Sequence, residues 1–290
     1  MMVFNDVDGN LISLERIMIG RVFTNKMTLI RLVAALVGLA GCGLPTHQQS
    51  QIGVTQVRKA LNGEHPSVVK ILRREPTQEP VTCTGTFIAP GIILTAAHCG
   101  GEHQVPELEI SWENSQGEIL TAKPNNFIRH PMYTDKVAIH SNDLAIIVIN
   151  EPDKNTTLPA PLLGRAPTRG NLVTIVGYGD DHIEIKDGDI QSSGSGPKRI
   201  GHNSIYTVAP SGIVILNGSA IECENLSNTS VTGNGDSGGP LFIDGSLAAV
   251  TLGGGILNET NLQECPQAVS YFAGVFLKTN WDFIKKFIDL

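Results

Sequence analysis

The chain is poor in the features that would mark a nucleic-acid binder or a membrane-spanning protein. No tract of lysine and arginine carries interleaved aromatics, and the net charge over 290 residues is -7, so neither the sign nor the distribution of charge suits a phosphate backbone. Long apolar runs are also missing. The longest, Leu32-Val33-Ala34-Ala35-Leu36-Val37-Gly38-Leu39-Ala40-Gly41, falls short of the roughly 20 residues that a spanning helix needs. No internal repeat stands out, and only one segment has a convincing helical period. What remains is a chain with 41% hydrophobic residues, enough for a substantial core in one compact domain or two halves sharing a site.

The short apolar run follows Lys26 and Arg31 and fits the hydrophobic region of a secretory signal. Residues 1–41 are therefore expected to be a targeting segment. Asp6, Asp8 and Glu15 are out of character there, which makes Met18 or Met27 a candidate start. The run ends in Leu39-Ala40-Gly41-Cys42, which resembles the lipobox of bacterial lipoproteins. That resemblance implies a mature chain acylated on Cys42, held at the cell envelope, and sorted to the outer membrane because Gly43 is not an aspartate. The alternative is a plain signal peptide followed by an odd cysteine. Residues 42–53 read as a polar tether or pro-segment, and 54–290 as the folded domain.

Five cysteines are an odd number for an exported protein. With Cys42 assigned to lipid, Cys83, Cys99, Cys223 and Cys265 suffice for two bridges, and three pairings are open. One has local support. Val81–Phe87 and Ile92–Thr95 read as strands joined by a turn at Pro90-Gly91, and such a hairpin brings Cys83 beside Cys99. His98-Cys99 also raises a metal site, but no second Cys or His stands at ligand spacing; no metal or cofactor is expected.

Many short β-rich stretches separated by glycine and proline turns argue an all-β barrel or sandwich. Thr279 to Leu290 is the exception. Trp281, Ile284, Phe287 and Ile288 fall at helical spacing, and Thr279 with Asp282 resembles a capping box. Between the strands, Asp180 to Asn203 is polar and glycine-rich and reads as a long surface loop. Gly253-Gly254-Gly255 is expected to end one strand, and Gly274-Val275-Phe276-Leu277 to be the last.

Three motifs carry chemistry. Gly233-Asn234-Gly235-Asp236-Ser237-Gly238-Gly239-Pro240 is dense enough in glycine to bend the main chain so that its N–H groups converge around Ser237. A serine hydroxyl is a weak nucleophile until a base takes its proton. Thr95-Ala96-Ala97-His98-Cys99 supplies a histidine. Asn142-Asp143-Leu144-Ala145 places an aspartate at the mouth of an apolar strand, where burial is costly unless a partner satisfies it.

Together, and in this order, the motifs resemble those of the chymotrypsin/trypsin family of serine proteases. The likeness runs from about Val54 to the C-terminus. It implies two antiparallel six-stranded β-barrels with the site at their junction and a C-terminal helix. It also implies an endopeptidase acting through an acyl-enzyme, with protein or peptide substrates and a monomeric state. The carried-over roles make Ser237 the nucleophile, His98 the general base and Asp143 its orienting acid, with the N–H groups of Gly235 and Ser237 as the oxyanion hole. Val231 falls at the base of the primary pocket, beside Thr232. Thr251, Leu252, Gly253 and Gly274 match further pocket positions. With no carboxylate at the base, a small or apolar P1 residue is expected. Gly233 stands where the family commonly has a cysteine, and Cys223 is expected to reach Cys265 instead.

In the family a freshly cut N-terminus inserts and pairs with the aspartate before the nucleophile, here Asp236. The segment around Ile52–Val54 is a poor match to the family's inserting sequence, and no Lys or Arg lies between Cys42 and Val54. Cleavage near Gln51–Val54 would activate the enzyme and free it from its lipid in one event. The competing reading is a protease-like envelope protein that binds without cutting.

Overall fold

A computed structural model describes residues 57–75, 78–101, 107–136, 139–150, 158–186, 189–220, 229–257 and 267–288, with the backbone of three short strand segments at 3–5, 11–13 and 51–53. Residues 1–41, expected to be a targeting segment, are otherwise outside the described residues, as are Cys42, Val54, Cys223 and Cys265.

The first half runs β1 (Val68–Glu75), β2 (Gln78–Ala89), β3 (Ile92–Thr95), β4 (Leu108–Glu113), β5 (Ile119–Ala122), β6 (Pro124–Arg129) and β7 (Ala145–Ile149). These form one antiparallel sheet in the order β6-β7-β3-β2-β1-β4-β5. The two edge strands, β5 and β6, are neighbours in sequence with only Lys123 between them. The sheet therefore curls until its edges meet along one bent strand, so the seven strands amount to the six expected.

The second half contains β8 (Leu172–Gly177), β9 (His182–Lys186), β10 (Asp189–Ser193), β11 (Arg199–Ser204), β12 (Thr207–Val208), β13 (Ile213–Ala220), β14 (Pro240–Ile243), β15 (Ser246–Leu257) and β16 (Gln267–Gly274). Its antiparallel sheet has the order β12-β13-β16-β15-β14-β8-β11, with the two-residue strand Arg58–Lys59 on the outer edge. Asn203 of β11 donates to the carbonyl of Asn217 in β13 at 3.1 Å, which ties the far sides together.

Alternation along the strands explains the packing, because both faces are buried. In β7, Ala145, Ile147 and Ile149 point into the first barrel while Ile146 points out. In β14, Leu241 and Ile243 fill the second barrel while Phe242 points out. The outward set joins Val68, Leu94, Val176, Leu247 and Val250, and Phe283 and Ile284 from the C-terminal helix, in a third core between the halves. The site lies along that junction.

Four local expectations change. Residues 180–203 are not one loop: β9 and β10 form a hairpin and β11 is an inner strand beside β8. The strand β15 runs on through Gly253–Gly255 to Leu257 across an irregularity between Thr251 and Gly253. The last strand ends at Gly274 rather than beginning there. The helix α1 (Lys278–Ile288) starts before Thr279, so Thr279 cannot cap it. The Thr279 hydroxyl instead accepts from Asn142 at 3.0 Å, and Asp282 pairs with Lys278 at 2.5 Å. The tight turn between β14 and β15 has Asp244 at φ 49 and Gly245 at φ 77, the left-handed pair that a two-residue hairpin of right-handed twist requires.

Candidate active site

Strand register brings the histidine and the aspartate together. Thr95, the last residue of β3, pairs with Ala145, the first of β7. His98 follows three residues after Thr95 on the 3-10 turn Ala97–Gly100, and Asp143 precedes Ala145 by two. Both Asp143 oxygens are used by one residue. Oδ1 accepts from the His98 backbone N–H at 2.9 Å, and Oδ2 lies 2.6 Å from His98 Nδ1. The Asp143 side chain is 7% exposed and that of His98 35%. A buried carboxylate this close assigns the ring proton to Nδ1 and leaves Nε2 as an acceptor.

The bridge Cys83–Cys99 forms, with Cα atoms 6.2 Å apart. It pins the histidine turn to β2. Cys83, His98 and Cys99 are clustered, but the two sulfurs are bonded to each other.

The turn carrying Asp143 is also tied to the other half. Asn142 Nδ2 donates to Asn280 Oδ1 at 2.7 Å, and Asn280 Nδ2 donates to the carbonyls of Ser141 and Gly274, each at 2.8 Å. Asn280 is wholly buried in the first turn of α1. The apolar periodicity of the helix missed it because the buried stripe, Asn280-Phe283-Ile284, begins with a polar residue.

Ser237 sits in a main-chain turn held from several sides. Gly239 N–H donates to the Asp236 carbonyl, Gly238 N–H to the Thr251 carbonyl, and Thr251 N–H to the Gly239 carbonyl, all at 2.8 Å. Gly235 has φ +98 and Gly238 φ +81, conformations that side-chain-bearing residues rarely adopt. A Cβ on Gly238 would collide with Thr95 Oγ1 and the Thr84 carbonyl. The loop thus lies directly on the strand end that leads to His98. From the first half, Thr84 N–H donates to the Ser237 carbonyl at 2.8 Å, and Cys99 Sγ lies 3.6 Å from the same oxygen. Among the described residues, the N–H groups of Gly235 and Ser237 donate to no protein acceptor.

Asp236 points the other way, into the second half. Its carboxylate accepts from Gly179 N–H at 2.8 Å and Gly233 N–H at 2.9 Å. Burial pushes its pKa up to about 6, against the pull of those two donors. Nearby Asp180 adds to the rise and Arg199 opposes it. Arg199 is already engaged with Asp181 at 2.8 Å and with the Gly179 carbonyl at 2.9 Å. Close approach of Asp236 demands glycine at 177 and 179, where any Cβ would strike the carboxylate. Beside it lies a cavity of about 20 Å³ lined by Val57, Gly177, Gly179, Asp180, Asp181, Arg199, Val231, Thr232 and Thr251, among others.

Of the expected pocket residues, Val231, Thr232 and Thr251 therefore meet around that cavity. Thr232 is held by Ser270, whose Oγ accepts from its N–H at 2.9 Å. Leu252 is buried, Gly253 lies at the strand irregularity, and Gly274 packs against Phe276 and Gly212 away from the cavity.

The trypsin family profile matches residues 54–276. A trypsin of Saccharopolyspora erythraea is 26% identical over 203 residues, covering 65% of this chain and 81% of its own. Brachyurin of Leptuca pugilator is 28% identical over 202 residues, 66% of this chain and 84% of its own. Among solved structures, neuropsin, a serine protease of mouse brain, superposes with a TM-score of 0.57 at 20% identity, covering 80% of this chain and 99% of that one. With the profile spanning most of the sequence and the fold agreeing, the chain belongs to the trypsin family of serine proteases, whose members hydrolyse peptide bonds in proteins and peptides.

Proposed function

We propose that the protein is an active serine endopeptidase with Ser237 as nucleophile. The observation that carries this reading is the placing of the Ser237 loop on the end of β3, beside a histidine whose Nδ1 is already committed to Asp143. His98 Nε2 takes the Ser237 proton as Oγ attacks the scissile carbonyl, and Asp143 stabilises the imidazolium so formed. Negative charge collects on the carbonyl oxygen, where the N–H groups of Gly235 and Ser237 receive it. Each such donor is worth roughly a hundredfold to a thousandfold in rate. His98 then returns the proton to the leaving amine, and water, activated by the same imidazole, releases the acyl group.

For P1 we propose a small or apolar residue. Val231 and Thr232 are buried and offer no carboxylate of their own to a cationic side chain, which would lose its hydration against them.

We further propose that the intact chain is a zymogen. Val57 lines the cavity beside Asp236, which has room for a group the size of one water or one ammonium. An amino terminus freed at Val54 would bring a positive charge to a carboxylate that burial now holds near 6 and would stabilise its ionised form. The lipobox at Cys42 supports anchorage to an outer membrane before that cut and release after it, and N-terminal sequencing of the active form tests this part.

The test of the main reading is cleavage of a peptide library by the processed protein, with Ser237→Ala as control. Cleavage after small or apolar residues, lost in the variant, is expected. Equal cleavage by the variant, or none by either, would overturn it.

A further inference from the structure

Thr84 is fully buried in β2, and none of its polar atoms is idle. Its hydroxyl donates to the Gly235 carbonyl at 2.9 Å and accepts from Tyr178 N–H at 3.2 Å. Its own N–H donates to the Ser237 carbonyl at 2.8 Å, and its carbonyl accepts from the Thr95 hydroxyl at 2.8 Å. A threonine hydroxyl has one proton, and here it is spent on the residue two before the serine. One side chain from the first half thus reaches across the junction to the loop of the second, while the same residue's backbone grips Ser237.

We propose that Thr84 is a positioning residue for the pair of amides at Gly235 and Ser237, holding them where the oxyanion forms. Gly235, at φ +98, has no Cβ to restrict its backbone, and rotation there would carry its N–H away from the reacting carbonyl. The Thr84 hydroxyl fixes that residue's carbonyl and so restrains what glycine leaves free. Its γ-methyl helps to set the rotamer: the β-branched side chain has few options, and the methyl abuts Gly239, where a Cβ would come within 3.1 Å of it. The inference rests on the serine endopeptidase reading, since only that reading gives the two amides an oxyanion to hold.

The variants are Thr84→Val, which keeps the shape and removes the hydroxyl, Thr84→Ser, which keeps the hydroxyl, and Thr84→Ala in case the valine does not fold. Three measurements are made on each: kcat and KM on a peptide ester, the melting temperature, and hydrogen exchange of the Asp236 amide, which lies between the two and donates to the Gly233 carbonyl at 3.2 Å. Misplacement of reacting groups by about 1 Å can cost about a hundredfold in rate. The expected result is a tenfold to hundredfold fall in kcat for valine or alanine, with KM within about twofold, recovery to within about threefold for serine, and faster exchange of the Asp236 amide only where the hydroxyl is lost. Equal kcat in all variants, a serine variant as impaired as valine, or a change in melting temperature with no change in the kcat pattern would overturn the proposal. If the wild type itself turns over no substrate, the endopeptidase reading falls, and exchange alone decides the clamp: unchanged protection of the Asp236 amide without the hydroxyl refutes it.

Discussion

The two halves of the site are built from different materials. In the first, side chains do the positioning: strand register sets His98 against Asp143, a disulfide staples the histidine turn, and a buried carboxylate has both oxygens satisfied. In the second, the main chain does it. Ser237 rides on a turn of glycines whose carbonyls and amides are tied to Thr251, Thr84 and one another, and the carboxylate next to it, Asp236, is buried with only backbone donors within hydrogen-bond reach among the described residues. In the first half the buried carboxylate already faces the imidazole that it orients. The second holds a carboxylate whose charge is still disfavoured, and so it is the half that a new positive charge could alter.

The largest effect should come from breaking the chemistry that joins them. Ser237→Ala or His98→Ala should lower kcat by about a millionfold, as residues of such a unit do elsewhere. Asp143→Asn should cost about ten-thousandfold by allowing the wrong ring tautomer. Steady-state kinetics against a peptide ester reads all three.

Removing the staple should be felt mainly in the first half. Replacing Cys83 and Cys99 by alanine opens a loop of sequence separation 16, worth about 3 kcal/mol in the loop-entropy picture. Urea unfolding of the variant, compared with wild type, measures it. A smaller loss, about 2 kcal/mol, is expected for Asn280→Leu, which leaves Asn142 and the Ser141 and Gly274 carbonyls without their buried partner. Because Asn142 adjoins Asp143, the loss of stability should come with a lower kcat.

The subtlest prediction concerns pH. Asp236 has a folded pKa near 6, above the roughly 4 of an unfolded aspartate. Between those values the folded chain binds more protons than the unfolded one, so stability should fall as pH rises from about 4 to about 6. Melting temperatures across that range should show the decline in the uncut chain, and Asp236→Asn should flatten it. A chain cut at Val54 should lose the decline too, if the new amine pairs with the carboxylate.

The same division decides how much the sequence could reveal. His98, Asp143 and Ser237 stand in motifs of ordinary side-chain chemistry and are legible at once, as is the Cys83–Cys99 hairpin. The all-β class follows from short β-rich runs between turns and the two barrels from the family resemblance, although the six-strand count is visible only once β5 and β6 prove to be one strand bent at Lys123. What stays hidden is polar or set by the main chain. The hairpin of β9 and β10 had a usable signal in the alternation of Ile183 and Ile185 before Asp187-Gly188. The strand β11 had little, because its Arg199-Ile200-Gly201-His202-Asn203-Ser204 contains one large apolar residue. Thr84 and Asn280 read in the sequence like any small polar residue, and only the fold shows which distant carbonyls they meet.

One measurement reaches the central claim most directly: mass spectrometry of the processed protein after exposure to a serine-directed phosphonylating reagent. The account predicts one adduct per chain, mapped to the peptide containing Ser237, absent in Ser237→Ala and formed far more slowly in Asp143→Asn. An unlabelled wild type, an adduct on another residue, or labelling at equal speed in Asp143→Asn would contradict it.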